Sequence, residues 1–206
     1  MYQKETTGAA VVRPRGRPAA ATRDQVIDAA MHRYLRGRRI DVQAIAAELG
    51  LARPTVYRWF GSREGLVGEV LVRAAEPLLE RARAEARGSG AAKLLDTFDR
   101  LNRGLAAAPA LRTFVEQERD AALRIISSGA GPVQPRIVAL ITGAIEEEVR
   151  AGRFQPAVDP STLAYAIVRL AEAFLFNDAA AGMRGDVDRL RDVEAALLGI
   201  APPRRH

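Results

Sequence analysis

The chain has 206 residues, of which 48% are hydrophobic and 27% charged, a composition typical of folded proteins rather than disordered ones. It contains no cysteine, which excludes disulfide bonds and thiolate metal sites and fits a reducing compartment. Neither an apolar leader nor an apolar run of about 20 residues is visible, so we expect a cytoplasmic protein without a membrane span.

The net charge of +6 is concentrated in the first third of the chain. Residues 1–73 hold 13 lysines and arginines and 7 acidic residues, whereas residues 74–206 hold 18 of each kind. A local excess of positive charge is typical of a module that binds a polyanion, so nucleic acid is the expected partner of this part of the chain.

Residues 1–21 are rich in glycine, proline and alanine and lack apolar periodicity, which predicts a flexible basic arm. Within it "RGRP", Arg15 to Pro18, resembles the core of an AT-hook, in which an extended Arg-Gly-Arg enters the minor groove of DNA. On this interpretation Arg15 and Arg17 contact DNA. The alternative is a solvated charged tail.

Helical periodicity runs through the rest of the chain, and no segment alternates as a strand does, so the predicted fold is all-α. The first helix starts with a capping-box pattern, in which Gln25 follows Thr22 by three residues. Helices are predicted at 23–36, 42–49, 53–60, 63–87, 91–107, 110–128, 134–151, 160–181 and 187–199.

The segment "IDVQAIAAELGLARPTVYRWFGSREGLVGEVL", residues 40–71, has the layout of a helix–turn–helix. Asp41 is a suitable cap for a first short helix, and Gly50 permits the left-handed conformation of a tight bend. Pro54 then falls in the first turn of a second short helix, and Ser62 caps the helix that follows.

The short helix predicted at 53–60 carries side chains suited to DNA. A helix of this length fits the major groove, where arginine and threonine donate to bases or phosphates. A tyrosine hydroxyl, or an arginine at a helix N-terminus, can contact phosphate. The candidate DNA-binding residues of the motif are Arg53, Thr55, Tyr57, Arg58, Trp59 and Arg63. The alternative is a three-helix packing unit without a ligand.

In its order and spacing "IAAELGLARPTVYRWFGSREGL" resembles the helix–turn–helix of the TetR family of bacterial transcriptional regulators. The resemblance covers residues 22–71, whereas residues 74–206 are similar in architecture only. It implies an N-terminal three-helix helix–turn–helix DNA-binding domain at 22–71 and a helical ligand-binding and dimerisation domain at 72–206. It further implies a homodimer that binds palindromic operator DNA and is released by a small molecule.

By the same resemblance, Thr55, Tyr57 and Trp59 occupy operator-contacting positions, and Arg63 takes the usual lysine position for a phosphate contact. Ala52 departs from the family, which commonly has a serine or threonine cap there. Loss of such a cap typically costs about 1 kcal/mol.

The C-terminal segments suggest a subunit interface. The helix predicted at 160–181 is apolar around most of its circumference, and the helix at 187–199 has one apolar side. Together they predict a four-helix contact between two subunits. The alternative is that the first of these helices is simply buried inside one subunit.

The strings "AYAIVRLAEAFLFND" and "ALRTFVEQE" look like a TetR subgroup linked to degradation of lactone quorum-sensing signals. This likeness implies a small apolar or amphipathic effector, for which a lactone is one candidate. We expect the helix at 63–87 to transmit its binding to the DNA-binding helices, with a bend at Pro77. The candidate ligand-binding residues are Phe98, Phe114, Tyr165, Arg169, Glu172 and Phe174.

An enzyme and an architectural DNA-binding protein are the alternatives to a ligand-released repressor. An enzyme is disfavoured because the only histidines are His32 and His206, and the chain has no "GxSxG", phosphate loop or "HExxH". Accordingly we predict no catalytic residue, metal or cofactor. An architectural protein that coats DNA without sensing a ligand is the other alternative, but it would not need a long, neutral, apolar C-terminal domain.

Overall fold

The computed structural model describes residues 21–177 and 182–201. These residues form ten α-helices and one π-helical turn with no strand among them, which confirms the predicted all-α fold. The basic arm with Arg15 and Arg17 lies outside the described residues. The helices are α1 (Arg23–Leu35), α2 (Val42–Glu48), α3 (Arg53–Phe60), α4 (Arg63–Glu85), α5 (Gly90–Ala107), α6 (Pro109–Gln117), α7 (Arg119–Ser127), α8 (Val133–Arg150), α9 (Pro160–Glu172) and α10 (Val187–Leu197), and the π-helical turn is Ala173–Asn177.

Side-chain caps set the starts of several N-terminal helices. Before α1, Gln25 N donates to Thr22 Oγ1 at 3.3 Å and Thr22 N donates to Gln25 Oε1 at 2.8 Å, which confirms the capping box. Asp41 and Ser62 accept hydrogen bonds from the first turns of α2 and α4. Ala52 provides no side-chain cap for α3, as the sequence implies.

The segment predicted as one helix at 110–128 is in fact two helices, α6 and α7, which meet at Glu118. Glu118 has φ −131° and ψ 46°, outside the helical range. Neither glycine nor proline marks the break. Instead, Arg63 at the start of α4 donates to the Glu118 carboxylate. A contact between distant parts of the chain therefore accompanies the helix break, and the local sequence does not predict this break.

The helix predicted at 160–181 is α-helical from Pro160 to Glu172 and continues as the π-helical turn to Asn177, and residues 178–181 of that prediction lie outside the described residues. Phe174 in this turn packs in a small cluster with Leu190 of α10. Its carbonyl oxygen accepts a hydrogen bond from Gly185 N at 2.7 Å. The π-helical turn therefore alters which side chains of this segment face the interior.

Two hydrophobic clusters make up most of the core. The first joins α1–α3 to the helices behind them, with Val26, Ile45 and Val56 in the same cluster as Leu111 and Phe114 of α6. The second lies among the later part of α4 and helices α5, α8, α9 and α10. Both α4 and α8 contribute buried residues to each cluster, so these two helices connect α1–α3 to the rest of the protein.

Helix α4 passes very close to the start of α8. A Cβ atom added at Gly68 would lie only 2.6 Å from Pro132 Cγ, so this contact requires glycine. Further along the helix, Pro77 lies on the exposed side of α4 and does not end it. The helix therefore runs from the end of α3 to the second core cluster as one continuous element.

Candidate DNA-binding surface and effector cavity

The bend between α2 and α3 has the geometry that the motif predicts. Gly50 has φ +63°, a left-handed conformation that disfavours residues with a side chain. Directly after it, Leu51 N donates to Ala46 O at 2.8 Å, which closes the turn. Asp41 Oδ1 accepts from Gln43 N at 2.8 Å and so fixes the first turn of α2.

Helix α3 has a buried side and a solvent-facing side. Val56 and Phe60 are buried in the first cluster. Arg53, Tyr57 and Arg58 are exposed. Among the described residues, neither of these two arginines forms an ion pair within the protein, so both guanidinium groups are available to an anion.

Two further predicted DNA contacts, Thr55 and Trp59, are half-buried. The indole of Trp59 packs partly against the first hydrophobic cluster, so this side chain also supports the fold of α3. Both residues still border the exposed side of the helix.

Arg63 occupies a position that the sequence does not reveal. Its side chain is 22% exposed. Nε donates to Ile40 O at 2.7 Å, and Nη2 donates to Glu118 Oε1 at 2.6 Å. The residue predicted to contact phosphate thus joins the start of α4, the segment that leads into α2 and the junction of α6 and α7. Arg39 lies at the same carboxylate, with Nε 3.9 Å from Glu118 Oε1.

An apolar cavity of about 280 Å³ lies behind the DNA-side helices. We call it the effector cavity. Its walls come from α4, α5, α6, α8, α9, the π-helical turn and α10, and Tyr34 and Leu35 at the end of α1 also line it. Leu35 is 65% exposed, so the cavity reaches the surface beside the end of α1. One cavity is therefore in contact with the first helix of the DNA-binding unit, with α4 and with the C-terminal helices.

Only two of the six predicted ligand-binding residues, Phe98 and Glu172, line this cavity. Phe114 and Phe174 do not line it. Phe114 packs edge-to-face against Tyr34, with ring centroids 6.4 Å apart, and Phe174 belongs to the cluster around the π-helical turn. The turn instead directs Leu175 and Phe176 into the cavity wall.

Tyr165 and Arg169 also lie outside the cavity wall. Tyr165 is 51% exposed, because it lies at the edge of the buried side of α9, which is centred on Leu163, Ala164 and Ile167. Arg169 Nη1 donates to Glu172 Oε2 at 2.7 Å and to Ser127 O at 3.2 Å. Arg169 therefore acts on the cavity only through Glu172. Burial raises the pKa of Glu172, and the charge of Arg169 lowers it.

The sequence prediction missed two polar residues of the cavity wall, Asn102 on α5 and Glu194 on α10. Asn102 Nδ2 donates to Glu194 Oε1 at 2.9 Å. Burial raises the pKa of Glu194 to about 7. The hydrogen bond from Asn102 lowers this pKa, the negative charge of Asp99 raises it and the positive charge of Arg191 lowers it. The sequence spacing does indicate that Glu194 faces the interior. Glu194 follows the fully buried Leu190 by four residues, so both lie on the same side of α10.

A set of apolar side chains is exposed near the C-terminal end of the fold. Val193 and Leu197, which the sequence assigns to the packed side of α10, are 37% and 39% exposed. Val158, just before α9, is 48% exposed, and Tyr165 on α9 is 51% exposed. Exposed apolar side chains on two helices are a recurrent feature of subunit interfaces.

The described residues were compared with the requirements of a membrane span and of a metal site only through their own helices and acidic or histidine side chains. None of their helices combines the length and hydropathy that crossing a membrane requires. No group of three or more histidine, aspartate or glutamate side chains in this part of the chain is arranged to hold a metal ion.

Comparison with known proteins identifies relatives of both halves. A family model described as "Bacterial regulatory proteins, tetR family" matches residues 38–70, and one described as "Tetracyclin repressor-like, C-terminal domain" matches residues 89–199. Among solved structures, the transcriptional repressor QsdR of R. erythropolis, from the TetR family, is 28% identical with a TM-score of 0.83. The match covers 89% of this chain and 97% of QsdR.

Two more distant structures share the fold. The TetR family repressor AlkX from Dietzia sp., implicated in biodegradation of n-alkanes, is 22% identical with a TM-score of 0.56, covering 87% of this chain and 99% of AlkX. The fatty acid degradation regulator FadR from Bacillus halodurans is 21% identical with a TM-score of 0.50, covering 88% of this chain and 100% of FadR. No curated protein matches the chain.

Proposed function

The chain belongs to the TetR family of DNA-binding transcriptional regulators, which are not enzymes, and from this premise we propose that it is a repressor released from its operator by a small apolar or amphipathic effector. We assign residues 22–71 to DNA binding and residues 72–206 to effector binding and dimerisation. One observation carries the proposal. A single cavity is lined both by the end of α1 and by the helices of the C-terminal part.

For DNA binding, we propose that α3 enters the major groove. Its exposed side carries Arg53 and Arg58 without ion pairs, which supports contact with base edges or phosphates. We assign base preference to Arg53 and Thr55, and phosphate contact to Tyr57 and Arg63. Trp59 borders the same surface and fixes the position of the helix.

We propose that the regulator acts as a homodimer on a palindromic operator. A single short helix covers only a few base pairs, so specificity favours two copies on successive turns of DNA. The exposed side chains of Tyr165, Val193 and Leu197 support an interface made by α9 and α10 of both subunits. The cell compartment that fits this role is the cytoplasm. The basic arm with Arg15 and Arg17 would extend the contact into the adjacent minor groove.

We propose that the effector acts through α4 and α6. The start of α6, from Pro109 to Leu111, lines the cavity, and the end of α6 leads to Glu118. Glu118 in turn binds Arg63 at the start of α4, directly after α3. If the protein binds its ligand more tightly in one arrangement of these helices, the ligand shifts the population toward that arrangement. This shift changes the spacing of the two α3 helices in the dimer.

Neutral lactones and other acyl compounds are the first effectors to test, in line with the likeness of two C-terminal segments to regulators of lactone degradation. Each compound is titrated into the complex of the protein with a palindromic site taken from the DNA beside its own gene, and operator binding is followed by fluorescence anisotropy. We expect one of them to weaken operator binding at least tenfold.

The matched control is Ala171→Phe, which places a ring in the cavity at a half-buried position of its wall. We expect this variant to bind the operator as the unaltered protein does and to ignore the effector. The proposal fails if a compound binds tightly in the C-terminal part while operator affinity stays the same.

A further inference from the structure

One polar pair interrupts the apolar wall of the effector cavity. Asn102 and Glu194 both line it and are 3% and 0% exposed. Glu194 Oε1 accepts the hydrogen bond from Asn102, whereas Glu194 Oε2 is buried and has no hydrogen-bond partner among the described residues. Buried polar atoms in folded proteins are nearly always paired. The unpaired oxygen of a side chain that lines a cavity therefore points to a ligand atom as its partner.

The second carboxylate of the wall shows the contrast. Glu172 is 6% exposed, but Arg169 donates to its Oε2 at 2.7 Å, so its charge is balanced inside the protein. Glu194 has no cation within hydrogen-bonding distance. Of the two carboxyl groups, only Glu194 leaves a buried oxygen for a ligand.

The surroundings of Glu194 favour its neutral form. An isolated carboxylate in an apolar interior takes up a proton, since burial destabilises the charge. The pKa of Glu194 is raised to about 7 in keeping with this argument. Because Oε1 already accepts from Asn102, Oε2 carries the proton of the neutral acid and is a donor.

We propose that Glu194, held in place by Asn102, donates a hydrogen bond to a carbonyl oxygen of the effector, so that the effector class is a neutral ketone, ester or amide with an apolar body. This inference rests on the proposed effector function of the cavity. The cavity has a volume of about 280 Å³, and most of the side chains that line it are apolar. A compound of medium length with one carbonyl group fits both the volume and the single polar site.

The test compares two probes of equal shape, 2-nonanone and 2-methyl-1-nonene, in which a methylene group replaces the carbonyl oxygen. Their dissociation constants are measured on the full-length protein by displacement of the fluorescent dye N-phenyl-1-naphthylamine. We expect Glu194→Met to reduce the preference for the ketone over the alkene about tenfold, which corresponds to the loss of one net hydrogen bond.

Two further variants separate the hydrogen bond from the fold. Glu194→Gln keeps a donor at the end of the side chain and is expected to retain the ketone preference. Glu146→Gln is the matched control, because Glu146 is an exposed carboxylate of α8 outside the cavity wall, and it is expected to leave that preference unchanged. Thermal unfolding followed by circular dichroism verifies that each variant is folded.

The outcomes separate this inference from the proposed function. If dye and probes bind, but the ratio of ketone to alkene affinity is the same in the unaltered protein and in Glu194→Met, the polar inference is overturned and the effector cavity stands. If Glu194→Gln loses the preference while 2-nonanol binds better than the ketone, Glu194 is an acceptor and the inference is again overturned. If neither the dye nor any probe binds to any variant, the proposed effector site itself is wrong.

Discussion

Replacing Glu118 by glutamine tests whether Arg63 must leave an internal partner in order to contact DNA. The two side chains are 22% and 16% exposed, and their charged atoms are 2.6 Å apart. Glutamine keeps the size of the side chain and an acceptor oxygen but removes the charge. Charge-assisted hydrogen bonds are roughly twice as strong as neutral ones. Because the pair is partly hydrated, we assign it about 1 kcal/mol, between the values for exposed and buried charged contacts.

If Arg63 exchanges Glu118 for a phosphate, Glu118→Gln removes this cost from DNA binding. We therefore expect operator affinity to rise about fivefold, since 1.4 kcal/mol corresponds to a factor of ten. The same substitution should lower the free energy of unfolding by about 1 kcal/mol in the absence of DNA. Operator affinity is measured by fluorescence anisotropy and stability by urea unfolding.

A double-mutant cycle with Arg63→Ala isolates the pair. In that background Glu118→Gln should no longer alter operator affinity. Glu116→Gln is the matched control, because Glu116 is an exposed carboxylate at the end of α6, two residues before Glu118. If Glu116→Gln and Glu118→Gln raise operator affinity equally, or if the increase persists without Arg63, the effect comes from the net charge of the protein. Either result would refute the exchange of Glu118 for a phosphate.

Three further predictions concern packing, pH and the basic arm. Gly68→Ala should lower the free energy of unfolding, measured in urea, by about 1–3 kcal/mol because its Cβ would meet the ring of Pro132 at 2.6 Å. Gly143→Ala in α8, where an added Cβ meets nothing within 4 Å, should not lower the free energy of unfolding in the same measurement. Glu194 has its pKa raised from 4.5 to about 7, so its neutral form stabilises the fold fully below pH 4.5 and this contribution is lost as the pH rises to about 7. Urea unfolding at several pH values should show that, across that window, the free energy of unfolding of the unaltered protein falls relative to that of Glu194→Gln by an amount of the order of 3 kcal/mol. If the free energies of the two proteins depend on pH in the same way, the burial argument is contradicted. Deleting residues 1–19 should leave the melting temperature unchanged but weaken operator binding and flatten its dependence on salt, whereas identical affinity and slope would make the arm a tail without a DNA contact.

Much of the DNA-binding half can be predicted from the sequence, because its signals are local. The capping box at Thr22, the glycine at position 50 and the Ser62 cap each act within a few residues of the chain, and the structure has each of them in the predicted place. Periodicity likewise identifies Val56 and Phe60 as the buried side of α3 and leaves the arginines of that helix exposed.

Tertiary structure decided the cavity and the contacts around it. Periodicity marks Phe114 and Phe174 as interior residues, but it does not say which interior space each one faces; that depends on the helix break at Glu118 and on the π-helical turn. The break coincides with the bond from Arg63, which comes from a helix 55 positions earlier in the chain. Glu194 meets Asn102 across a separation of 92 residues. Local spacing can place a carboxylate on an apolar stripe, but only the packing of α5 against α10 determines that one of its oxygens is satisfied and the other is left for a ligand.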